Sequence, residues 1–213
     1  MKTLEVPFID GLEKMSPEEF SEKMELGGAK DAVNEAPWKE FPYKPDCFFT
    51  LARSASHFAV EFRVRGLDLR SMELKDCGRS WEDSCCEAFF AHPSDGTYYN
   101  FEMTCAGSLL CGKRFDRNNF TLMDAEALKR VIRHCSLSKE PRDIKGGIHS
   151  WSVAMLIPFD LIGIEKFPLT LRANFYKCGD LTATPHYVCW SPVGTSTPDF
   201  HRPEYFGKLI ISG

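Results

Sequence analysis

From residue 57 onward the hydrophobic positions recur with a period of two. HFAVEFRV (57–64) sets Phe58, Val60, Phe62 and Val64 on one side and His57, Glu61 and Arg63 on the other. TYYNFEMT (97–104) alternates Tyr99, Phe101 and Met103 against Tyr98, Asn100 and Glu102. WSVAMLIP (151–158) lines up Trp151, Val153, Met155 and Ile157. LTLRANFYK (169–177) sets Leu169, Leu171, Ala173 and Phe175 against Thr170, Arg172, Asn174 and Tyr176. Successive side chains of a strand point to opposite faces, so each stretch predicts a half-buried antiparallel strand. SCCEAFFAH (84–92), PHYVCW (185–190) and YFGKLIIS (205–212) predict three more. Helical patterning is confined to SPEEFSEKM, DAEALKRVI (124–132) and a turn near Phe159–Ile164. Many short strands separated by turn signals predict an all-β fold, an antiparallel β-sandwich with short peripheral helices.

The chain's 213 residues fit one such domain spanning 1–213. Residues 1–40 read as a lead-in segment packed on its body. Within it Ser16 is placed to cap a helix beginning at Pro17, with acids in the first turn. APWKEFPYKPD (36–46) is punctuated by proline, and Trp38, Phe41 and Tyr43 are placed to pin it down.

Composition narrows the partners. Net charge is −4 and the basic residues are scattered, which argues against nucleic acid. No segment reaches the roughly 18–20 consecutive apolar residues of a membrane span. The first residues, MKTLEVPFIDGLEKM, lack the apolar run of a signal peptide. The nine cysteines are odd in number and form no CxxC pair, which reads as free thiols in a reducing compartment such as the cytoplasm.

The polar strand faces carry the functional signal. A solvent-facing strand is usually Lys, Glu, Thr and Ser, whereas these offer Asn100 with Glu102, and Arg172 with Asn174 and Tyr176. Such short or planar hydrogen-bonding groups suit fixed geometry. Trp81 and Trp190 stand at strand ends. A sugar ring has an apolar C–H face and a rim of hydroxyls, and indoles beside amides, carboxylates and guanidinium match both.

WEDSCCEAFF, YYNFEMTCAGSLL, WSVAMLIPFDLIG, LRANFYKCGD, HYVCWSPV and PDFHRPEYFG, in this order over roughly residues 40–213, together resemble the carbohydrate-binding family 9 group within the DOMON-like β-sandwiches. The resemblance implies non-catalytic binding of a sugar or glycan end on a concave sheet face, in support of carbohydrate catabolism. By position it makes Trp81 and Trp190 the stacking clamp and Glu87 a hydroxyl binder, although Asp83 stands one place earlier than the family's acid. Asn100, Glu102, Arg172 and Asn174 follow as polar contacts. Pro198–Gly207 is expected to latch the fold before the last strand, with His201 and Arg202 able to reach ligand. The resemblance also implies a structural calcium ion, for which no dense Asp/Asn loop is visible. It suggests a separate glycan-degrading enzyme as partner, and its sugar-binding members are often exported.

Other readings remain open at this stage. Glu87 and Glu102 on neighbouring strands could be the carboxylate pair of a glycoside hydrolase, but no nucleophile motif such as G-x-S-x-G accompanies them. The same face could bind a protein instead of a glycan. Met103 with His149, His186 or His201 could ligate haem, although a Met at strand spacing is usually core filling. Cys178 with His186 and Cys189, or Cys105 with Cys111, lacks the paired spacing of structural zinc sites.

Overall fold

The structure is a computed structural model and describes residues 1–92, 94–165 and 169–211. Ser212, the last residue of the expected closing strand, lies outside them. The strands are β1 (Thr3–Val6), β2 (Ala29–Ala32), β3 (Asp46–Arg53), β4 (His57–Ser71), β5 (Cys85–Ala91), β6 (Tyr98–Thr104) and β7 (Leu109–Arg114). They continue as β8 (Phe120–Leu122), β9 (Ile132–Cys135), β10 (Arg142–Pro158), β11 (Thr170–Cys178), β12 (Tyr187–Cys189) and β13 (Gly207–Ile211). One sheet runs β1-β13-β11-β5-β6-β7-β8, with β12 added on β11, and the other runs β2-β3-β4-β10-β9. All strand pairings are antiparallel except β1 with β13. This is the expected sandwich.

The period-two apolar sets close the space between the sheets. Phe58, Val60, Phe62, Trp151, Val153 and Met155 of one sheet face Phe90, Phe101, Met103, Ala173 and Phe175 of the other in one buried cluster. Phe49 and Phe175 stack at 4.1 Å between ring centroids across this interface. Each such side chain contributes about 1.5–3 kcal/mol by leaving water. Leu169 departs from the expected pattern: it precedes β11 and is exposed.

The lead-in is more than a packed extension. β1 joins the eight-stranded sheet beside β13, and β2 joins the five-stranded sheet beside β3. Helix α1 (Pro17–Gly27) starts where expected, with a reciprocal capping box between Ser16 and Glu19. Phe20 and Met24, one turn apart, press into a patch made by Ala52, Ala59, Ala154 and Leu156 on the outside of the five-stranded sheet. Small alanines let the helix approach closely. It also covers Glu61, expected on a polar face, whose carboxylate accepts from the Ser21 hydroxyl at 2.8 Å. The second helix, α2 (Ala125–Lys129), is a short turn capped by Asp124. No helix among the described residues is long and apolar enough to cross a membrane.

With the five-stranded sheet backed by α1, the other outer surface is the free face of the eight-stranded sheet. Here the alternate residues of β5, β6, β7 and β11 project, including Glu87, Asn100, Glu102, Arg114, Asn174 and Tyr176.

Candidate functional site

The outer face of the eight-stranded sheet is half roofed and half open. Trp38, Phe200 and Phe206 cover Phe89, Tyr98 and Tyr176 in a second apolar cluster. Phe200 stacks on Tyr176 at 4.1 Å, and the Tyr176 hydroxyl donates to the Phe200 carbonyl at 3.0 Å. The segment holding Phe200 is the Pro198–Gly207 stretch, and it does latch the roof. The Arg172 guanidinium ties it down, donating to the carbonyls of Glu204 (2.9 Å) and Phe206 (3.2 Å).

Beside this roof lies a cleft of about 290 Å³. Its floor carries Glu87, Glu102 and Cys178, and Trp81, Tyr187 and Phe120 are among its walls. Arg114, Asp180 and His201 also reach it. The size lies at the lower end of the ~300–1,000 Å³ typical of small-molecule sites. It suits one end of a chain better than a long stretch of polymer.

The floor is built by register. Glu87 of β5 stands directly opposite Glu102 of β6 and Tyr176 of β11. Asn100, two residues from Glu102 on the same face, donates to Glu102 Oε1 at 2.7 Å, and its own oxygen accepts from Arg114 Nε at 2.7 Å. This chain of bonds fixes one carboxyl oxygen of Glu102. The other, Oε2, is buried without a hydrogen-bond partner. Both acids are nearly inaccessible, Glu87 at 3% and Glu102 at 2% exposure. Burial lifts the Glu102 carboxyl to about 7, against the pull of the Asn100 bond and of Arg114. Burial, then the neighbouring Cys178 and Glu102, hold Glu87 well above the ordinary carboxyl range. On the wall Asp180 is raised to about 6, chiefly by burial. His201 is pushed down to about 3 by burial and by the charges of Arg114 and Arg117, so it is a neutral ring. Its Nδ1 lies 3.1 Å from the Tyr98 hydroxyl.

Of the nine residues expected at the site, four line the cleft: Trp81, Glu87, Glu102 and His201. Asn100 sits behind them as the positioning link just described. The remaining four are corrections. Trp190 is wholly buried between the sheets, packed against Phe49 and Phe175, with its ring nitrogen donating to Asp31 at 2.7 Å. It cannot stack on a ligand. Asn174 is sealed under the 190–191 turn, bonding both the carbonyl and the N–H of Ser191. Arg172 serves the latch, and Arg202 is not in the cleft lining but pairs at 2.7 Å with Asp199, which is.

The sequence reading missed Arg114, Phe120, Asp180 and Tyr187. In β7, Arg114 shares the parity of Leu110 and Gly112, and its guanidinium lies 4.2 Å over the Phe120 ring. Strand alternation also held a usable signal for Tyr187. In HYVCW, Val188 and Trp190 share one face, the core, so Tyr187 must face the other way. Asp83, the family-like acid one place early, is internal as well: it accepts from the Glu73 N–H at 2.7 Å and pairs with Arg70 at 3.2 Å.

The haem arrangement is not assembled, since Met103 lies inside the sandwich whereas His201 lies on its outer face. His186 is instead bonded to the Lys177 ammonium at 2.8 Å. Among the described residues Cys85, Glu87 and Cys178 converge as a metal-sized group of His, Cys and acidic side chains, and its two sulfurs do not suit a hard ion such as calcium.

The chain matches carbohydrate-binding family 9 over residues 21–211 and belongs to that family. It is similar along 99% of both chains, at 34% identity and a TM-score of 0.90, to a candidate carbohydrate-binding protein from Bacteroides uniformis. Two further similar structures show the same fold. Both are family 9 modules from Caldicellulosiruptor kristjanssonii, one in complex with cellotriose (12% identity, TM-score 0.59, 100% of this chain and 94% of that one). The other is in complex with glucose (14% identity, TM-score 0.56, 100% and 96%). No curated protein gives a significant match.

Proposed function

We propose, from its membership of family 9, that this protein binds the end of a carbohydrate chain in the cleft on the eight-stranded sheet, without catalysis. The observation that carries this reading is the pairing of opposite chemistries in one small space. Two buried carboxyls form a polar floor, and Trp81, Tyr187 and Phe120 give apolar walls. A sugar needs both, hydroxyls for the floor and C–H faces for the rings.

In this reading Trp81 stacks on a ring face. Glu102 Oε2, which has no hydrogen-bond partner in the protein, bonds a sugar hydroxyl; a buried polar atom of this kind gains about 1–3 kcal/mol once bonded. Glu87 holds a neighbouring hydroxyl, Asp180 and Tyr187 close the wall, and Arg114 fixes the floor through Asn100. The geometry favours binding over hydrolysis. A glycosidase places its two carboxyl groups on either side of the scissile bond, whereas Glu87 and Glu102 stand side by side on adjacent strands of one floor. Such a binder suits work alongside a separate glycan-degrading enzyme.

The reading is tested by isothermal calorimetry with glucose, cellobiose, cellotriose, xylose and galactose in chelator-treated buffer. Saturable binding of one class, weakened at least tenfold in Glu87→Gln with folding intact, supports it. Absence of binding across a broad glycan panel would remove it.

A further inference from the structure

Cys85 and Cys178 are register partners across β5 and β11, so their thiols project from the same face of the sheet. Glu87 projects beside them from β5. One ligand atom from each of the three lies within 4.8 Å of the other two. The Cys178 thiol donates to Glu87 Oε1 at 3.1 Å. Although all three side chains are buried, Glu87 and Cys178 also line the cleft, so the cluster opens at its floor and is not sealed in the core. A second observation points to a missing ligand. Glu102, opposite Glu87, faces the same cleft at 2% exposure with Oε2 unbonded.

We propose that Cys85, Cys178 and Glu87 form a site for a thiophilic divalent metal ion of the zinc type, with one coordination position open to the cleft. The donor set selects the ion. Hard cations such as calcium and magnesium take all-oxygen shells, whereas two sulfurs with one carboxylate suit zinc or cadmium. Zinc–ligand lengths of about 2.3 Å to sulfur and 2.0–2.2 Å to oxygen put tetrahedral ligand atoms roughly 3.5–3.8 Å apart. The present spread needs only a side-chain contraction of about 1 Å to reach that geometry. Three protein ligands with an open fourth position is the pattern of zinc sites that still admit a small molecule. Glu102 or a ligand hydroxyl would face that position.

Uptake is a proton exchange without electron transfer. A free thiol is largely protonated near neutral pH, and it ligates a metal only as the thiolate. The ion displaces the thiol protons to solvent as its bonds to the two sulfurs and the carboxylate oxygen form. Affinity therefore rises with pH. The inference shares Glu87 with the proposed sugar site but does not depend on it.

The probe is Cd²⁺, whose bonds to thiolate give an ultraviolet charge-transfer absorption. The full chain, with the exposed Cys77 and Cys135 changed to Ser, is reduced, stripped with chelator and titrated at pH 6.5 and 8. The expected result is one Cd²⁺ per chain, bound at least tenfold more tightly at the higher pH and displaced by Zn²⁺. Cys85→Ala should weaken binding at least tenfold, and Cys47→Ala, a buried thiol on β3, should not. Should the variants fold poorly, saturating Zn²⁺ on the unaltered chain in mild urea should slow alkylation of Cys85 and Cys178 selectively, read by peptide mapping. The proposal is overturned by the absence of a charge-transfer band, by a band that survives in Cys85→Ala/Cys178→Ala, or by equal alkylation with and without zinc. Because Cys85 is not part of the cleft wall, metal-free Cys85→Ala should keep the sugar affinity of the parent. Loss of metal binding with sugar binding intact removes only this inference, and the reverse removes only the sugar reading.

Discussion

Replacing Glu102 by Gln isolates the energetic consequence of burying an acid at the cleft floor. Glu102 titrates near 4.5 when solvated and at about 7 in the folded chain, with burial as the leading cause. Between those values the folded protein holds a proton that the unfolded chain has released. Stability contributed by the neutral form is therefore complete below about 4.5 and is lost as pH rises to about 7. At about 1.4 kcal/mol per pH unit the whole window amounts to about 3 kcal/mol, of which about 2–3 kcal/mol falls between pH 5 and pH 8. Gln preserves the shape and still offers Asn100 an oxygen to donate to, but it does not titrate. Urea unfolding followed by far-ultraviolet circular dichroism at pH 5, 6, 7 and 8 should show Glu102→Gln gaining about 2–3 kcal/mol on wild type across the series. Parallel curves would refute the reasoning. A wild type that gains on the variant as pH rises would show instead that Arg114 stabilises a charged Glu102.

Three further outcomes follow from the same geometry. His186, held neutral down to about 3 by burial and then by the Lys177 charge, makes the folded protein lose stability as pH falls below 6.5; the loss between pH 7 and pH 5 should be about 2 kcal/mol and should flatten in His186→Gln. Trp190→Ala empties a core position and strips Asp31 of its donor, so urea unfolding should show a loss of about 3–5 kcal/mol. Arg172→Ala releases the latch at an exposed position and should cost about 1 kcal/mol, or roughly 2–4 °C in Tm.

How much was legible in the sequence depended on what each residue's environment required. Phe58, Val60, Phe62, Met103 and Phe175 could be placed because alternation alone decides which face they occupy, and the inter-sheet space is continuous. The Ser16 cap was readable because a capping box is local. Asn174 and Arg172 were assigned to the correct outer face, but alternation does not say which part of a face is roofed. The roof comes from Trp38 and from the 190–206 segment, over 150 residues apart in sequence and joined by the Trp38 ring nitrogen donating to the Thr195 carbonyl at 3.0 Å. Trp81 and Trp190 looked alike as tryptophans at strand ends, yet parity with Val188 sends Trp190 inward. Phe120 was illegible for another reason: β8 is a three-residue edge strand, too short for a periodic signal. The meeting of Cys178 with Cys85 needed the β5–β11 register, which no local spacing encodes.

The most direct test of the central reading uses the chain's own fluorescence. Of its four tryptophans, Trp38, Trp151 and Trp190 are buried, and Trp81 alone is partly exposed at the cleft. Titration with the sugar class identified by calorimetry should give a saturable emission change in wild type. In Trp81→Ala the change should disappear and calorimetric affinity should fall at least tenfold. A response of the same size in Trp81→Ala, with affinity unaltered, would place the sugar elsewhere and contradict the assignment of this cleft.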